Sequence, residues 1–488
     1  MIEKELFDLI DQVQSQQCEA QTTEVKSAHM GCPEKLYDTI SSFSNQSSGG
    51  VFVFGLDERE HFKKVGVYDA QDLQKKVMEY CEQMTPVVRP VFTVCEENAL
   101  VFVSAEIPPV DVADRPCFKT AKGRLNGSYI RVGDADKPMT EYEVYSYEAF
   151  RKKYKDDIRP VERGSIELLD QIKVSEYLAR KRNERPHLAV VPEHLQYELT
   201  GITQNGQLTL TAFLLFGIYP QAYYPQLSII ATCVPGNEMG HTDASGARFT
   251  DSKRIEGTLP EMLEGALSFV RNNMRVATRI DPETGERTDL PQYPMDAVRE
   301  SVLNALVHRD YSIHTEGMPI QLILFENRME IVNPGGLYGR ITVDQLGNAQ
   351  PDTRNPVLVT AMETLGKTEN RYSGIPTIRA AMQNHGLPSP QFWDTRGNFK
   401  VVLFNREAAQ HVAEKNTPDI PNAKDEKGLA KFCKTPRTRK EIIEYLSIAS
   451  GQYALRRYLD PLVEAGVIRM TIPEKPRSER QKYVTVEQ

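Results

Sequence analysis

The chain has 488 residues, too many for one hydrophobic core, so at roughly 100–200 residues per domain three or four domains are expected. Its net charge of −8 excludes a protein that simply coats nucleic acid, and any contact with a polyanion must use local basic surface. The seven cysteines are scattered, with no C-x-x-C pair and no grouping with histidine, which argues against a zinc site or disulfide framework and fits a reducing, cytoplasmic setting. No apolar run approaches the roughly 20 residues of a membrane span, and the acidic, amphipathic start MIEKELFDLIDQVQ is not a secretory signal.

Residues 1–17 read as a helix with Leu6, Ile10 and Val13 on one side. Residues 33–45 read as a second helix, with Pro33 at its start and Leu36, Ile40 and Phe43 on one face. Gly49-Gly50 then breaks the chain before VFVFGLDE, a short buried strand ending in acidic residues. PVFTV, ALVFVSAEI and GSYIRVGDAD add further strands, completing an α/β or α+β unit over 1–155. A charged helical connector spans 156–204, and a β-rich intermediate region spans 205–290. In that region LTLTAFLLFGIY and LSIIATCV are apolar and β-like, although LFG could also end a helix. An amphipathic helix at 258–276 and a polar loop at 281–293 follow. Residues 291–405 form a new unit of helices, strands and Gly-rich turns, 406–426 a polar linker, and 427–488 a final module. The whole is therefore a multidomain α+β protein.

In the final module, helical segments at about 427–433, 438–447 and 451–465 precede a strand, a basic loop and a second strand, the pattern of a winged helix-turn-helix. Arg437 and Thr438 open the middle helix, and Leu455, Tyr458, Leu459 and Leu462 form the buried stripe of the third. That leaves Gln452, Tyr453, Arg456 and Arg457 free to face a ligand, with Lys475, Arg477, Arg480 and Lys482 on the loop. From Lys427 onward there are 13 Lys/Arg against 7 Asp/Glu, the local excess that contact with phosphates of duplex DNA requires. The ending Leu459, Leu462, Gly466, Ile468 resembles bacterial winged-helix regulators.

In MDAVRESVLNALVHRDYS, Glu300, Asn304 and His308 fall on one side of a helix. A carboxylate that can take a proton from water, one turn from an amide oxygen that can ligate Mg²⁺, suits nucleotide chemistry. Downstream, a strand runs into Asn333-Pro334-Gly335-Gly336, then come Arg354-Asn355-Pro356 and a Gly374 turn opening a helix. Such glycines admit a base or phosphate close to the backbone, and helix N-terminal amides can cradle phosphate. This order resembles the divergent GHKL-type ATPase module found C-terminal in proteins labelled RecG-like helicases, over about 205–404. The resemblance implies ATP with Mg²⁺ (or Mn²⁺) as cofactors, Glu300 as base, Asn304 as metal ligand, Asn333 on adenine, and Gly335, Gly336 and Gly374 along the phosphates. Members of the wider superfamily carry Asp where this chain has Asn333, and the segment between the glycine turns lacks their G-x-G repeats. The helicase label itself finds no support, because no G-x-x-x-x-G-K-[ST] loop is present.

TTEVKSA, the helix–N-x-x-x-GG–strand–G-L-D-E run, and YIRVGDADKP together resemble the Schlafen AlbA-type domain over about 15–150. The resemblance implies binding of DNA or RNA. From the nuclease branch it implies a catalytic and metal-binding set of Glu19, Glu24 and Asp57, with Lys26 alongside. Three carboxylates around one point would hold Mg²⁺ or Mn²⁺ for phosphodiester displacement. A strand from Glu19 to Glu24 would put the two on opposite faces, so a bend between them is required. The combined expectation is a nucleic-acid-binding, ATP-responsive regulator or defence protein, a homo-oligomer without a membrane partner. The alternatives are a nucleotide-licensed metal-dependent nuclease and a nucleotide-gated scaffold without chemistry.

Overall fold

The computed structural model describes residues 1–280, 284–350, 352–366, 373–395 and 397–406, and, towards the C-terminus, 429, 432–435, 437–438, 441–442, 445, 459, 462–463, 467–471 and 482–486. Two compact units, Met1–Ala408 and Ala409–Gln488, are separated by contact density. Among the described residues no helix is long and apolar enough to cross a membrane.

The first unit opens with α1 (Glu3–Gln16), whose Leu6, Ile10 and Val13 are buried as their spacing requires. Strand β1 (Thr23–Lys26) follows. Helix α2 runs Tyr37–Asn45, so it starts four residues after Pro33, and Leu36 rather than the proline stands at its cap. Strand β2 (Gly50–Phe54), helix α3 (Ala70–Glu82) and strands β3 (Val91–Glu97) and β4 (Leu100–Ile107) complete a sheet of order β1-β2-β4-β3. In it β1 lies parallel to β2, with Glu24 beside Phe52. The apolar sides of α2 and α3 cover one face through Ile40, Phe43, Leu73 and Val77, and α1 covers the other. A hairpin of β5 (Tyr129–Val132) and β6 (Ala135–Pro138) packs against α2.

Helix α4 (Glu141–Lys152) is closed at its start by a reciprocal Thr140–Glu143 capping box. Beyond it the expected connector is not a spacer. Leu169, and Val174, Tyr177 and Leu178 of α5 (Gln171–Glu184), belong to one large core that extends to Leu403. The β-like run at 207–216 is instead α6 (Leu210–Phe216), buried on every side, with the Thr209 hydroxyl accepting from Ala212 N at 3.2 Å. A continuous apolar run has no periodicity to separate a buried helix from a buried strand, and the N-cap threonine decided it.

Strands β7 (Ile229–Cys233) and β8 (Asp251–Ile255) are followed by α7 (Leu259–Asn273). The expected polar loop at 281–293 contains β10 (Arg287–Pro291), which pairs with β9 (Val276–Ile280) as a hairpin. Then come α8 (Met295–His308), β11 (Ile320–Leu324), β12 (Arg328–Pro334), α9 (Pro356–Thr364), α10 (Gly374–Asn384), β13 (Gln391–Thr395) and β14 (Asn398–Phe404). One six-stranded sheet of order β8-β7-β11-β12-β14-β13 gathers strands from both sides of residue 290. The expected boundary between an intermediate region and a separate module at 290/291 is therefore crossed by the β7–β11 parallel ladder. Helices α7, α8 and α10 contribute Leu263, Val298, Val302 and Ile378 to the core beside this sheet.

The second unit holds a three-stranded antiparallel sheet of β15 (Arg437–Thr438), β17 (Lys482–Thr485) and β16 (Ile468–Met470), in that order. Leu429, Cys433, Ile442, Leu459, Leu462, Ile468 and Tyr483 form its core. Thr438 and Glu441 exchange a capping box, Glu441 N donating to Thr438 Oγ1 at 3.3 Å and Thr438 N to Glu441 Oε2 at 2.8 Å. Gln452, Tyr453, Arg456, Arg457, Lys475, Arg477 and Arg480, expected on the nucleic-acid face, lie outside the described residues, as do Leu455 and Tyr458.

Candidate functional site

The 3.6-residue repeat of α8 carries Glu300, Asn304 and His308 along one side, and that side faces an open cavity of about 170 Å³. A second cavity, between Tyr145, Tyr154 and Arg354, holds only about 10 Å³, too little for more than a water molecule, whereas the first has room for part of a small organic ligand. The cavity is also lined by Asn333, Gly335 and Gly336 at the end of β12 and by Gly374 at the start of α10. All six residues expected around a nucleotide thus line one cavity.

All three of these glycines are closely approached, Gly336 by Asp394 Oδ1 at 2.5 Å from where a Cβ would stand. A Cβ on Gly374 would stand 3.0 Å from Asn304 Nδ2 and 3.3 Å from Glu300 Oε2, so the α10 backbone lies directly against the two polar side chains of α8. Gly335 has φ +98°, and a Cβ there would meet Asp310 Cβ at 2.6 Å and Arg354 Nη1 at 2.7 Å. Glu300 is half-buried and ion-paired with Arg299 at 2.8 Å. Asn333 is buried, and its Oδ1 accepts no hydrogen bond among the described residues. An enclosed amide oxygen without a donor costs roughly 1–3 kcal/mol, an arrangement that a ligand N–H would relieve. His308 opens onto the cavity, where the surrounding protein and then the Arg354 charge push its pKa down.

In the sequence Arg354 stands only as part of the Arg354-Asn355-Pro356 order, yet in the structure it organises this wall. It is buried, its Nη1 lies 2.7 Å from Asp310 Oδ2, and its Nη2 donates to Gly336 O at 3.2 Å. Burial alone would raise the Asp310 carboxyl. The Arg354 charge, the Ser312 N–H and the Tyr142 hydroxyl outweigh burial and hold it below the usual carboxylate range. Next along the chain, Asn355 Nδ2 donates to Val307 O at 2.9 Å and Arg309 O at 2.7 Å, closing the C-terminal end of α8, while Pro356 begins α9.

The carboxylates of the N-terminal half are arranged differently from expectation. Glu24 and Glu19 come together, because a turn after α1 brings Glu19 Oε1 to Val25 N at 2.7 Å. Their shared partner is Arg131 of β5, with a fully buried side chain. Its guanidinium lies 2.8 Å from Glu24, 3.1 Å from Asp136 and 3.7 Å from Glu19. Lys26 is ion-paired with Glu24. Burial, reinforced by the Glu24 charge, pushes the Glu19 pKa up to about 7. Asp57 does not join them. It caps the next turn by accepting from Arg59 N at 3.0 Å. Among the described residues no three His, Cys, Asp or Glu side chains are placed to hold a metal ion. Around Glu19 and Glu24 the structure thus places a buried arginine among three acids, Glu24, Asp136 and Glu19, while Asp57 is engaged in its own turn.

Comparison with known proteins divides the chain along these two sites. Residues 19–140 match the family model for Schlafen, AlbA_2. Residues 317–403 match the model for the C-terminal region of the putative ATP-dependent DNA helicase recG. An AlbA_2 segment and a RecG-C-terminal segment are joined in one chain. Residues 427–485 match the model for the C-terminal domain of Fic-like proteins (filamentation induced by cAMP). Among solved structures, the DIP2311 protein from Corynebacterium diphtheriae is similar at 16% identity, over 99% of this chain and 97% of that one, with a TM-score of 0.39. The N-terminal domain of a putative ATP-dependent DNA helicase RecG-related protein from Nitrosomonas europaea is similar at 23% identity, over 28% of this chain and 93% of that one, with a TM-score of 0.23. No curated protein matches the chain.

The RecG-C-terminal segment carries Asn333, Gly335, Gly336, Arg354 and Gly374, whereas Glu300 and Asn304 precede it on α8. Arg131 and Asp136 lie in the AlbA_2 segment, on the YIRVGDAD hairpin. The two segments meet through α4. Tyr142 Oη donates to Asp310 Oδ2 at 2.7 Å, and the Phe150 ring packs edge-on against Tyr338 of the cleft wall at 5.3 Å. Arg340, two residues further on, reaches Asp111 at 3.3 Å.

Proposed function

We propose that this protein binds an adenine nucleotide in the cleft between α8, the end of β12 and α10, and uses it in a task performed on nucleic acid. The observation that carries the nucleotide reading is the orphaned Oδ1 of Asn333, buried in the cavity that Glu300, Asn304 and Gly374 also line. The residues fit the group. Asn333 Oδ1 is placed to accept an amino hydrogen, as the more usual aspartate would, and the α10 N-terminus and Gly335-Gly336 present backbone that phosphate can approach. Asn304 would hold Mg²⁺ through its amide oxygen, and Glu300, freed from Arg299, would take a proton from water. Bound there, a nucleoside triphosphate with Mg²⁺ supplies a cleavable phosphoanhydride. The deciding experiment is calorimetry of the full chain with ATP and ADP, with and without Mg²⁺. Saturable binding supports the reading, and silence up to millimolar nucleotide sinks it.

The nucleic-acid part of the reading rests on the match to the AlbA_2 model and on the basic C-terminal unit. In that unit a short strand, a capped helix start and an antiparallel hairpin follow one another, an order in keeping with a winged helix contacting duplex DNA. The test is salt-dependent binding of a DNA duplex by the full chain, with Arg456→Ala and Arg457→Ala each flattening the slope. A metal-dependent nuclease is the weaker reading, because Glu24 already has Arg131 and Lys26 as partners and Asp57 faces its own turn.

A further inference from the structure

Residues 115–131 contain five basic and no acidic side chains, in a chain of net charge −8. The structure accounts for three of the five. Arg115 is buried and donates to Val110 O at 2.9 Å and Gln46 O at 3.0 Å. Arg124 is paired with Glu148, and Arg131 with Glu24 and Asp136. Lys119 and Lys122 remain. Both ammonium groups stand 4.4 Å from the centroid of one ring, that of Tyr37. Lys122 Nζ also donates to the Tyr37 hydroxyl at 2.5 Å. Neither lysine has a carboxylate within ion-pair distance among the described residues. The adjacent acid, Asp38, accepts from Thr39 N at 3.0 Å.

The ring that gathers the two charges is held in place. Tyr37 is the first residue of α2, and Tyr129, the first of β5, braces it edge-on at 5.9 Å and 71°. Two like charges over one aromatic ring are attracted by its quadrupole but repel each other, and no carboxylate among the described residues is ion-paired with either of them. Lys122 is exposed and Lys119 and Tyr37 are half-buried, so an incoming anion reaches all three. The same hairpin strand that starts with Tyr129 carries Arg131 two residues on, so the acidic cluster of Glu19 and Glu24 lies on the same side of β5.

We propose that Lys119 and Lys122, set on Tyr37, are the contact through which the AlbA_2 segment grips the phosphodiester backbone of a nucleic-acid strand. This rests on the nucleic-acid part of the function proposed above. Two phosphates neutralised here carry no sequence information, so the contact positions a strand along β5 rather than reading its bases. Lysine serves as a point charge in such a role, and the single Tyr37 hydroxyl, beside Lys122, adds one polar group.

The test uses the full chain with a labelled single-stranded U₂₀ and, in a separate arm, a 20-base-pair DNA duplex. Binding is followed by fluorescence anisotropy over a salt series, and lysine accessibility by amine acylation with mass spectrometry. Loss of two phosphate contacts in the Lys119→Gln/Lys122→Gln double variant lowers the log–log salt slope by about 1.4 for the single strand or about 1.8 for the duplex. The arm in which the slope falls identifies the strand type, and Lys119→Arg/Lys122→Arg restores it. In the unmodified protein, bound strand protects both lysines from acylation. An unchanged slope with both lysines equally acylated, while wild type still binds, overturns this contact and leaves the wider reading standing. Absence of any strand binding by wild type overturns both. Protection by polyglutamate but by neither nucleic acid also overturns it, in favour of an acidic protein partner.

Discussion

Arg354 and Asp310 form a buried ion pair at 2.7 Å, and the same guanidinium donates to the carbonyl of Gly336 in the glycine turn of the cleft. The pair therefore joins the wall of the cavity to the segment that leaves α8. Tyr142 extends it to α4, which follows directly on the AlbA_2 segment. Removing one partner strands the other charge. Arg354→Ala is expected to destabilise the first unit by about 3–5 kcal/mol, and Asp310→Asn/Arg354→Gln by clearly less. Chemical denaturation of the three proteins checks this, and equal losses in the single and double variants would show that the charges are not coupled.

Asn333 is expected to decide nucleotide affinity. Asn333→Ala removes the orphaned acceptor and should weaken ADP binding by about 1–3 kcal/mol, or roughly 5–150-fold in Kd. Asn333→Asp keeps an acceptor and makes it charged, so its affinity should equal or exceed that of wild type. Calorimetry in which Asn333→Ala binds ADP as tightly as wild type would place the nucleotide elsewhere.

Glu300, Asn304 and Gly374 act at one point, and their variants should separate binding from turnover. Glu300→Gln should keep ATP binding and abolish any phosphate release, because an amide does not take the proton. Asn304→Ala should weaken binding mainly when Mg²⁺ is present. Gly374→Ala should resemble Asn304→Ala, since its Cβ would stand 3.0 Å from the Asn304 amide and displace it. A Gly374→Ala protein with unaltered Mg²⁺ dependence would refute this geometry.

Asp157 makes a pH-dependent contribution to stability. Its carboxylate accepts from Val357 N at 2.9 Å and Leu358 N at 3.2 Å at the start of α9, and burial, outweighing these contacts, pushes its pKa up from 3.8 to about 6. The folded value lies above the unfolded one. Its stabilising contribution is therefore complete below the unfolded pKa and is lost as pH rises through about 6. Asp157→Asn does not ionise and escapes that loss. Its stability relative to wild type should rise by roughly 2–3 kcal/mol between about pH 4 and 7.5, read as a shift of several degrees in Tm. A difference that stays constant across this range would show that Asp157 does not titrate on unfolding.

Much of this protein was legible before its fold was known. The period of α1 named Leu6, Ile10 and Val13 as its buried side, and the repeat of α8 put Glu300, Asn304 and His308 together, because residues four apart on a helix share a face whatever surrounds them. Asn333 and the glycines were legible for a similar reason, since they mark the end of a strand and the start of a helix. Only the tertiary structure decided what had no local signature. The apolar run at 210–216 has no period of its own and only its N-cap Thr209 marks it as a helix, whereas 287–291 is a strand because β9 lies beside it. The same holds for charge. Glu24 and Arg131 are more than a hundred residues apart, and no spacing rule foretells that an arginine stands beside these acids. Arg354 stood in a visible motif, but its task, bridging Asp310 to Gly336, exists only where three loops converge, because ion pairs and caps are chosen by proximity in space.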